Sequence, residues 1–354
     1  MLLILAAIAQ AAATLATLDL RWLVTLDTPP AAPPAFDSGA AYVPLRDQGL
    51  VAIDLERGHV RWRSTLTTAV SPAAGDGLAF LALDGRVEAL GAATGGTRWQ
   101  TRLPGRLVSV TWDTGWLLCA NDTGDLAALR ASDGELVWRT SLGAPPVVAP
   151  APGLDRVYLG LEGGQVVALE LTNGRRAWER TLPGRITGLR SVDGQLIAGT
   201  TGNAVFSLDL VTGRQRWRWR VGGDVSGQAA GDERHVYFTA RDNVLRAVDL
   251  RSGNLRWTAE LPTRPVGGPQ VVPGLVLVPM STAVALFDPA SGAALGTMSV
   301  SGELGVSPHI RQAFRPTGAR LVTLTRDGRL QGFGARFEAP PAPLDALPGQ
   351  VVAP

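Results

Sequence analysis

Few side chains in this 354-residue chain could do metal or nucleophilic chemistry: His59, His235, His309 and the single cysteine, Cys119. A metal site gathers imidazole, thiolate or carboxylate ligands, often two of them a few residues apart. None of the three histidines has such a neighbour two to four positions downstream. His59 follows a turn glycine and His235 opens a strand pattern, so both read as ordinary rim residues. One cysteine excludes an intrachain disulfide and a cysteine-based cluster. The runs 121–125 (Asn-Asp-Thr-Gly-Asp) and 241–243 (Arg-Asp-Asn) carry oxygen ligands but lack the spaced series and closing Glu of an EF-type calcium loop. Turn chemistry accounts for them. There is no Gly-x-Ser-x-Gly elbow and no glycine-rich phosphate loop. The expectation is no catalytic residue, no metal ligand and no cofactor. The one dense charge cluster, 214–220 (RQRWRWR), has the composition of a nucleic-acid or anionic-lipid stripe. It also fits an outer β-strand with Trp217 facing inward and arginines toward water, where charge discourages edge pairing. Similar decoration at Arg61, Arg63 and Arg98 favours the strand, and no nucleic-acid partner is expected.

The elements that position these residues come from a repeat. Residues 168–178 (ALELTNGRRAW) run from a short apolar strand through a turn at Gly174 to a strand bearing Trp178. The same grammar returns at 52–62, 89–99, 128–138, 207–217 and 247–257, with turn glycines Gly58, Gly95, Gly134, Gly213 and Gly253 and tryptophans Trp62, Trp99, Trp138, Trp217 and Trp257. A further copy at 285–296 keeps Gly292 and has Gly296 in place of Trp, and Trp22 stands alone 40 residues before Trp62. The steps are 40, 37, 39, 40, 39, 40 and 39 residues. That period marks a repeat architecture. Each unit divides into four short strands; in the fourth they are 146–149, 156–161, 165–171 and 175–182. Tight turns at Asp84-Gly85, Gly202-Asn203, Asp242-Asn243 and Asp327-Gly328 supply residues that tolerate positive φ.

Four-stranded antiparallel units of this length predict an all-β fold, an eight-bladed β-propeller. The last unit, 301–335, offers strands at 305–310, 319–326 and 329–334 but no aromatic fourth strand. The strand around Trp22 (18–26) is expected to complete it and close the ring, which removes the open edges of the array. Gly at the turns permits backbone that Cβ resists. The turn acids Asp54, Asp209 and Asp249 accept hydrogen bonds from turn amides, with Thr212 or Ser252 assisting. Each Trp on the outer strand is expected to dock against the neighbouring blade, contributing roughly 4–6 kcal/mol gross at ~25 cal/mol per Å² over about 150–250 Å².

Net charge is only +2 from 33 basic and 31 acidic residues, and all the basic ones are Arg, so composition names no polyanionic partner. Residues 1–17 begin with an apolar run suited to a signal-peptide core or an apolar arm, without a basic start. Export to the periplasm or cell envelope is the expectation, with no transmembrane span in the mature chain. Residues 18–335 form the propeller, expected as a monomer, and the Pro/Ala-rich 336–354 a tail.

The pattern Ala-x-Asp-x-x-Thr/Ser-Gly-x-x-x-Trp resembles the tryptophan-docking repeat of the pyrroloquinoline-quinone (PQQ) propeller superfamily. That superfamily includes quinoprotein dehydrogenases and the BamB-type subunit of the outer-membrane β-barrel assembly machinery. The resemblance spans 18–335, with departures at Gly91, Arg130 and Glu170, where the turn Asp is replaced. For a dehydrogenase it implies PQQ in the axial channel beneath a disulfide of adjacent cysteines, with calcium held by Glu, Asn and Asp. Cys119 alone cannot make that disulfide, and eight blades of about 39 residues take roughly 312 positions, leaving no long insertion to build a site. For a BamB-type protein it implies a non-catalytic protein-binding scaffold that assists outer-membrane β-barrel assembly. Partner contacts then fall on loops joining one blade's outer strand to the next blade's inner strand. The corresponding loops here are 182–186 and 222–228, with Leu182, Arg185 and Asp224 as candidate partner-binding residues. The scaffold is the expected function; a PQQ-dependent dehydrogenase and a ligand-sensing module are the alternatives.

Overall fold

The computed structural model describes residues 18–153, 155–306, 308–310 and 321–335, and among them thirty strands pair antiparallel throughout. The expected leader at 1–17 and tail at 336–354 lie outside the described residues. The architecture is a β-propeller of four-stranded antiparallel blades. No helix among the described residues is long and apolar enough to cross a membrane.

Eight separate blades were expected, and the hydrogen bonding instead groups the strands into seven sheets, six of four strands and one of six. The six-stranded sheet combines the second and third repeats. Leu78–Gly91 and Thr97–Asp113 run unbroken through positions where other repeats break. Asp84, at the tight turn, itself pairs with Arg106, so the ladder carries past the turn and through Gly105. The 37-residue step between Trp62 and Trp99 holds this hairpin, which Leu78–Gly91 crosses unbroken; the connector between the two repeats lies in the following 39-residue step and is crossed by Thr97–Asp113. The inner strand expected at 146–149 is likewise displaced, to Ala151–Pro152, with Pro146 held to Leu161 by a single bridge. The same split, a lone bridge and then a two-residue strand, recurs at Val225 and Ala230–Gly231 where the chain has no proline, so it belongs to the inner strand of the repeat.

The chain ends meet within one sheet. Leu18–Thr25 pairs with Arg329–Ala335, placing Trp22 opposite Gly332. An apolar cluster joins Val24, Leu26 and Leu330 to Val43, Ile53 and Leu55 of the first repeat, and Phe36 stacks flat on His309 at 4.0 Å. Every other apolar cluster among the described residues spans two sequence-neighbouring repeats, as Trp138 and Leu142 do with Leu159 and Leu171. The array is therefore a closed ring whose core is divided among its inter-repeat junctions.

What joins the repeats is the tryptophan. In six outer strands the Trp lies opposite a small residue, as Ala168 faces Trp178 and Ser207 faces Trp217, and a register shift follows at once. Such a bulge tightens the local twist and re-aims a side chain. The indole thereby reaches the turn of the next repeat. Trp62, Trp138 and Trp217 donate from Nε1 to the carbonyls of Ala92, Leu171 and Leu250 at 2.9, 2.7 and 2.8 Å. Trp99, Trp178 and Trp257 do the same to Ala131, Leu210 and Pro289. The turn glycine lies over the indole face. A Cβ at Gly213 would sit 2.6 Å from Trp178, and one at Gly253 would sit 2.7 Å from Trp217. Both glycines hold positive φ, so backbone and space independently demand the same residue.

Trp22 differs. It lies beneath Gly58 like the others, but its buried Nε1 has no acceptor among the described residues. Trp217→Phe is therefore expected to cost about 1–3 kcal/mol more than Trp22→Phe, since only the former removes a made bond and strands a carbonyl. Urea unfolding of the two variants checks this, and equal losses would contradict it.

Candidate functional site

The chemically capable side chains are dispersed. Cys119 is buried between the second and third repeats among Phe80, Val87 and Leu117, and burial pushes its thiol well above the ordinary range. His59 is exposed, His235 lies 3.3 Å from the Tyr237 hydroxyl, and His309 is stacked on Phe36. Among the described residues no three His, Cys, Asp or Glu side chains gather as a metal site would. The acidic run at 121–125 is a closed turn: Asn121 Oδ1 accepts from Thr123 N, Thr123 Oγ1 and Asp125 N, while Asp122 and Asp125 pair with Arg106 and Arg139. At 241–243, Asp242 is taken by Arg246 at 2.6 Å.

The residues present do not fit PQQ. No second cysteine exists for the covering disulfide, and Cys119 faces a junction core. The inner strands of the fifth, sixth and seventh repeats also touch backbone to backbone. A Cβ at Gly188 would lie 2.5 Å from Gln228 Cα, and one at Gly268 would collide with the Gln228 carbonyl. Gln228 and Gln270 donate across to Leu189 and Pro308 carbonyls of neighbouring repeats, which ties those strands together.

The arginine cluster at 214–220 is absorbed by the blade. Arg216 pairs with Asp209 at 2.6 Å, Arg218 covers the Phe206 ring at 5.1 Å, and Trp217 is docked. Asp209 also accepts from Thr212 N and Oγ1. The same arrangement recurs at Asp54 with Arg61 and at Asp249 with Arg256. Where the third repeat has Arg130 in place of Asp, the polarity inverts and Arg130 pairs with Asp133 and Glu135.

What is left is one rim. In a four-stranded antiparallel blade the turn between second and third strands and the connector to the next blade lie at the same end. There a backbone bond recurs: Arg46 N to Pro29 O, Asp122 N to Arg106 O, Glu162 N to Pro145 O, Thr201 N to Arg185 O, Arg241 N to Asp224 O and Arg326 N to Glu303 O. Three of these positions are closed by ion pairs, Arg106–Asp122 at 3.1 Å, Asp224–Arg241 at 3.8 Å and Glu303–Arg326 at 3.4 Å. At the other three, Arg46, Glu162 and Arg185 face neutral partners.

The three sequence candidates thus separate. Arg185 is exposed, with its backbone N held by Thr201 Oγ1 at 2.9 Å. Asp224 is partly buried and shared with Arg241. Leu182 points inward, in the cluster that joins the fourth and fifth repeats. Arg46 and Glu162 escaped the sequence reading because each sits in a hairpin, where charge passes for turn solvation. The register of the repeat, with each in the position of Asp122 and Arg241, was the available signal.

A model of the family described as outer membrane protein assembly factor BamB matches residues 7–102, 83–193 and 184–319. A BamB from Nitrosomonas eutropha is 32% identical over 180 residues; that stretch spans 48% of this chain and 44% of the relative, less than half its length. The crystal structure of BamB from Moraxella catarrhalis aligns over 90% of this chain and 99% of its own at TM-score 0.68 and 17% identity. Quinohemoprotein alcohol dehydrogenase from Comamonas testosteroni aligns over 94% of this chain and 78% of its own at TM-score 0.71 and 14% identity. At such identities the two structures speak for the fold alone.

Hydrogen bonding by Arg216, then by the Thr212 amide, draws Asp209 down to about 2 from 3.8. Its pairing contributes stability that is complete above the unfolded value and lost as pH falls toward about 2. Asp209→Asn keeps the turn acceptor and loses the charge. It is expected to melt below the wild type at pH 7, with the gap narrowing between about pH 4 and pH 2. A pH series of thermal melts tests this, and a constant gap would refute it.

Proposed function

Since the chain belongs to the BamB family of outer membrane protein assembly factors, we propose that it is a non-catalytic scaffold of the cell envelope that binds a protein of the outer-membrane β-barrel assembly machinery. The family match across 7–319 carries this reading. It is supported by side chains that serve packing and turns where an enzyme would keep free acids, bases and nucleophiles. Export and a monomeric state accompany the reading.

We read the closed array as eight radial units. In support, the apolar clusters among the described residues join the repeats pairwise in order, the last returning to the first. On this view the six-stranded sheet is two blades merged by their long strands. Rigidity is what such a ring offers a partner: binding surfaces are pre-formed and lose little freedom on association.

The partner face is the rim carrying Arg185 and Asp224. Arg185 is exposed and opposed by a neutral residue, so a partner carboxylate can pair with it without breaking an internal bond. Asp224, already shared with Arg241, serves as the rim's register. Exposed single pairs are each worth under about 1 kcal/mol, so the interface must combine several of them. A photo-crosslinking amino acid placed at position 185 in living cells is expected to trap an integral β-barrel assembly protein, and Arg185→Glu to weaken its co-purification. Recovery of soluble proteins only would end this reading.

A further inference from the structure

The first and last repeats meet at a cleft of about 290 Å³ on the same rim. Pro29, Pro30 and Pro33 form one wall, Val306 and Leu324 the other, and Arg46 and Arg326 stand at its edge. The proline wall is held from behind. Ala31 N donates to Pro44 O at 2.8 Å, Arg46 N to Pro29 O at 3.1 Å, and Thr28 Oγ1 to Arg46 O at 3.1 Å. The opposite wall is spoken for too, with Gly305 N on Leu324 O and Arg326 N on Glu303 O. Proline has no N–H, so the apolar surface offers an occupant little to bond. The free donors are the guanidinium groups. Arg46 has no ion pair among the described residues, and Arg326 meets only Glu303, at 3.4 Å, with 63% of its side chain exposed.

An occupant that satisfies this cleft combines an aliphatic body with carboxylate oxygens. Guanidinium forks match carboxylates in geometry as well as charge. The cavity sits at the small end of ligand sites, about 300 Å³ and upward, so it suits a short motif and not a folded surface. Its edge residues, Arg46 and Arg326, occupy the hairpin positions that Thr201 and Arg241 hold opposite Arg185 and Asp224, which makes the cleft continuous with the rim already described. We propose that this seam cleft binds a short, extended segment of the protein partner in which acidic and aliphatic residues alternate. The inference rests on the scaffold reading and adds the chemistry of what the scaffold takes.

Fluorescence anisotropy on the full chain tests it with two labelled probes, Leu-Glu-Val-Glu-Leu and Leu-Gln-Val-Gln-Leu. The acidic peptide is expected to bind at least about tenfold more tightly, a difference near 1.4 kcal/mol. Arg46→Gln combined with Arg326→Gln is expected to abolish that preference, while Arg185→Gln keeps it. Should the double variant melt early, Arg46→Gln alone is expected to reduce the preference about threefold. Equal affinity for both peptides, or a preference that survives the double variant, overturns the proposal. So does displacement of the peptide by equimolar inorganic phosphate, which would mark a plain anion site. The crosslink from position 185 is read separately: its persistence with no peptide preference sinks the cleft alone, and its loss with the preference intact sinks only the partner reading.

Discussion

An indole ring lying flat against a glycine of the next repeat is the contact on which the whole ring depends. The bulge beside each Trp turns it out of its own blade, and the receiving turn must present bare backbone. Neither side works without the other. A Cβ at Gly253 would enter the Trp217 ring, and a smaller side chain than Trp would leave the Leu250 carbonyl unreached. Because the contact links every repeat but the seventh to its successor, stability accumulates from neighbour to neighbour around the array.

This pairing also explains the one unit that lacks its Trp. The outer strand of the closing sheet is Leu18–Thr25, which arrives from the start of the chain. That sheet has no turn between its third and fourth strands, so no glycine waits for a Trp from the seventh repeat. Position 296 is Gly, and its strand, Ala294–Ser299, is exposed over most of its length. At the other end of the circle Trp22 still lies under Gly58, yet without a hydrogen bond. The closing junction compensates with the Phe36–His309 stack and a long ladder between Leu18–Thr25 and Arg329–Ala335.

Docking occupies the end of each blade that carries the third-to-fourth-strand turns. The opposite rim is released from that duty. Some positions close on themselves, as Asp224 does with Arg241; others, such as Arg46 and Arg185, leave a charge outward. The inner strands have little such latitude. At Gly188, Gln228 and Gly268 those of the fifth, sixth and seventh repeats meet backbone to backbone, whereas a cavity of about 230 Å³ lies between those of the second, third and fourth.

The recurring Gly and Trp determined the four-stranded unit, the turn positions and the return of the first strand to the last sheet, because each depends on local backbone chemistry and a fixed period. The rim loops at 182–186 and 222–228 were legible for the same reason, as positions within the repeat. Which of their side chains face outward was not: Leu182 is apolar beside a turn, and only packing against the fifth repeat turns it inward. Tertiary structure alone merged the second and third repeats into one sheet, since continuity of a ladder depends on how two connectors meet and not on their composition. It alone brought Pro29 and Arg46 beside Val306 and Arg326, which lie about 280 residues apart in a chain whose ends must first find each other.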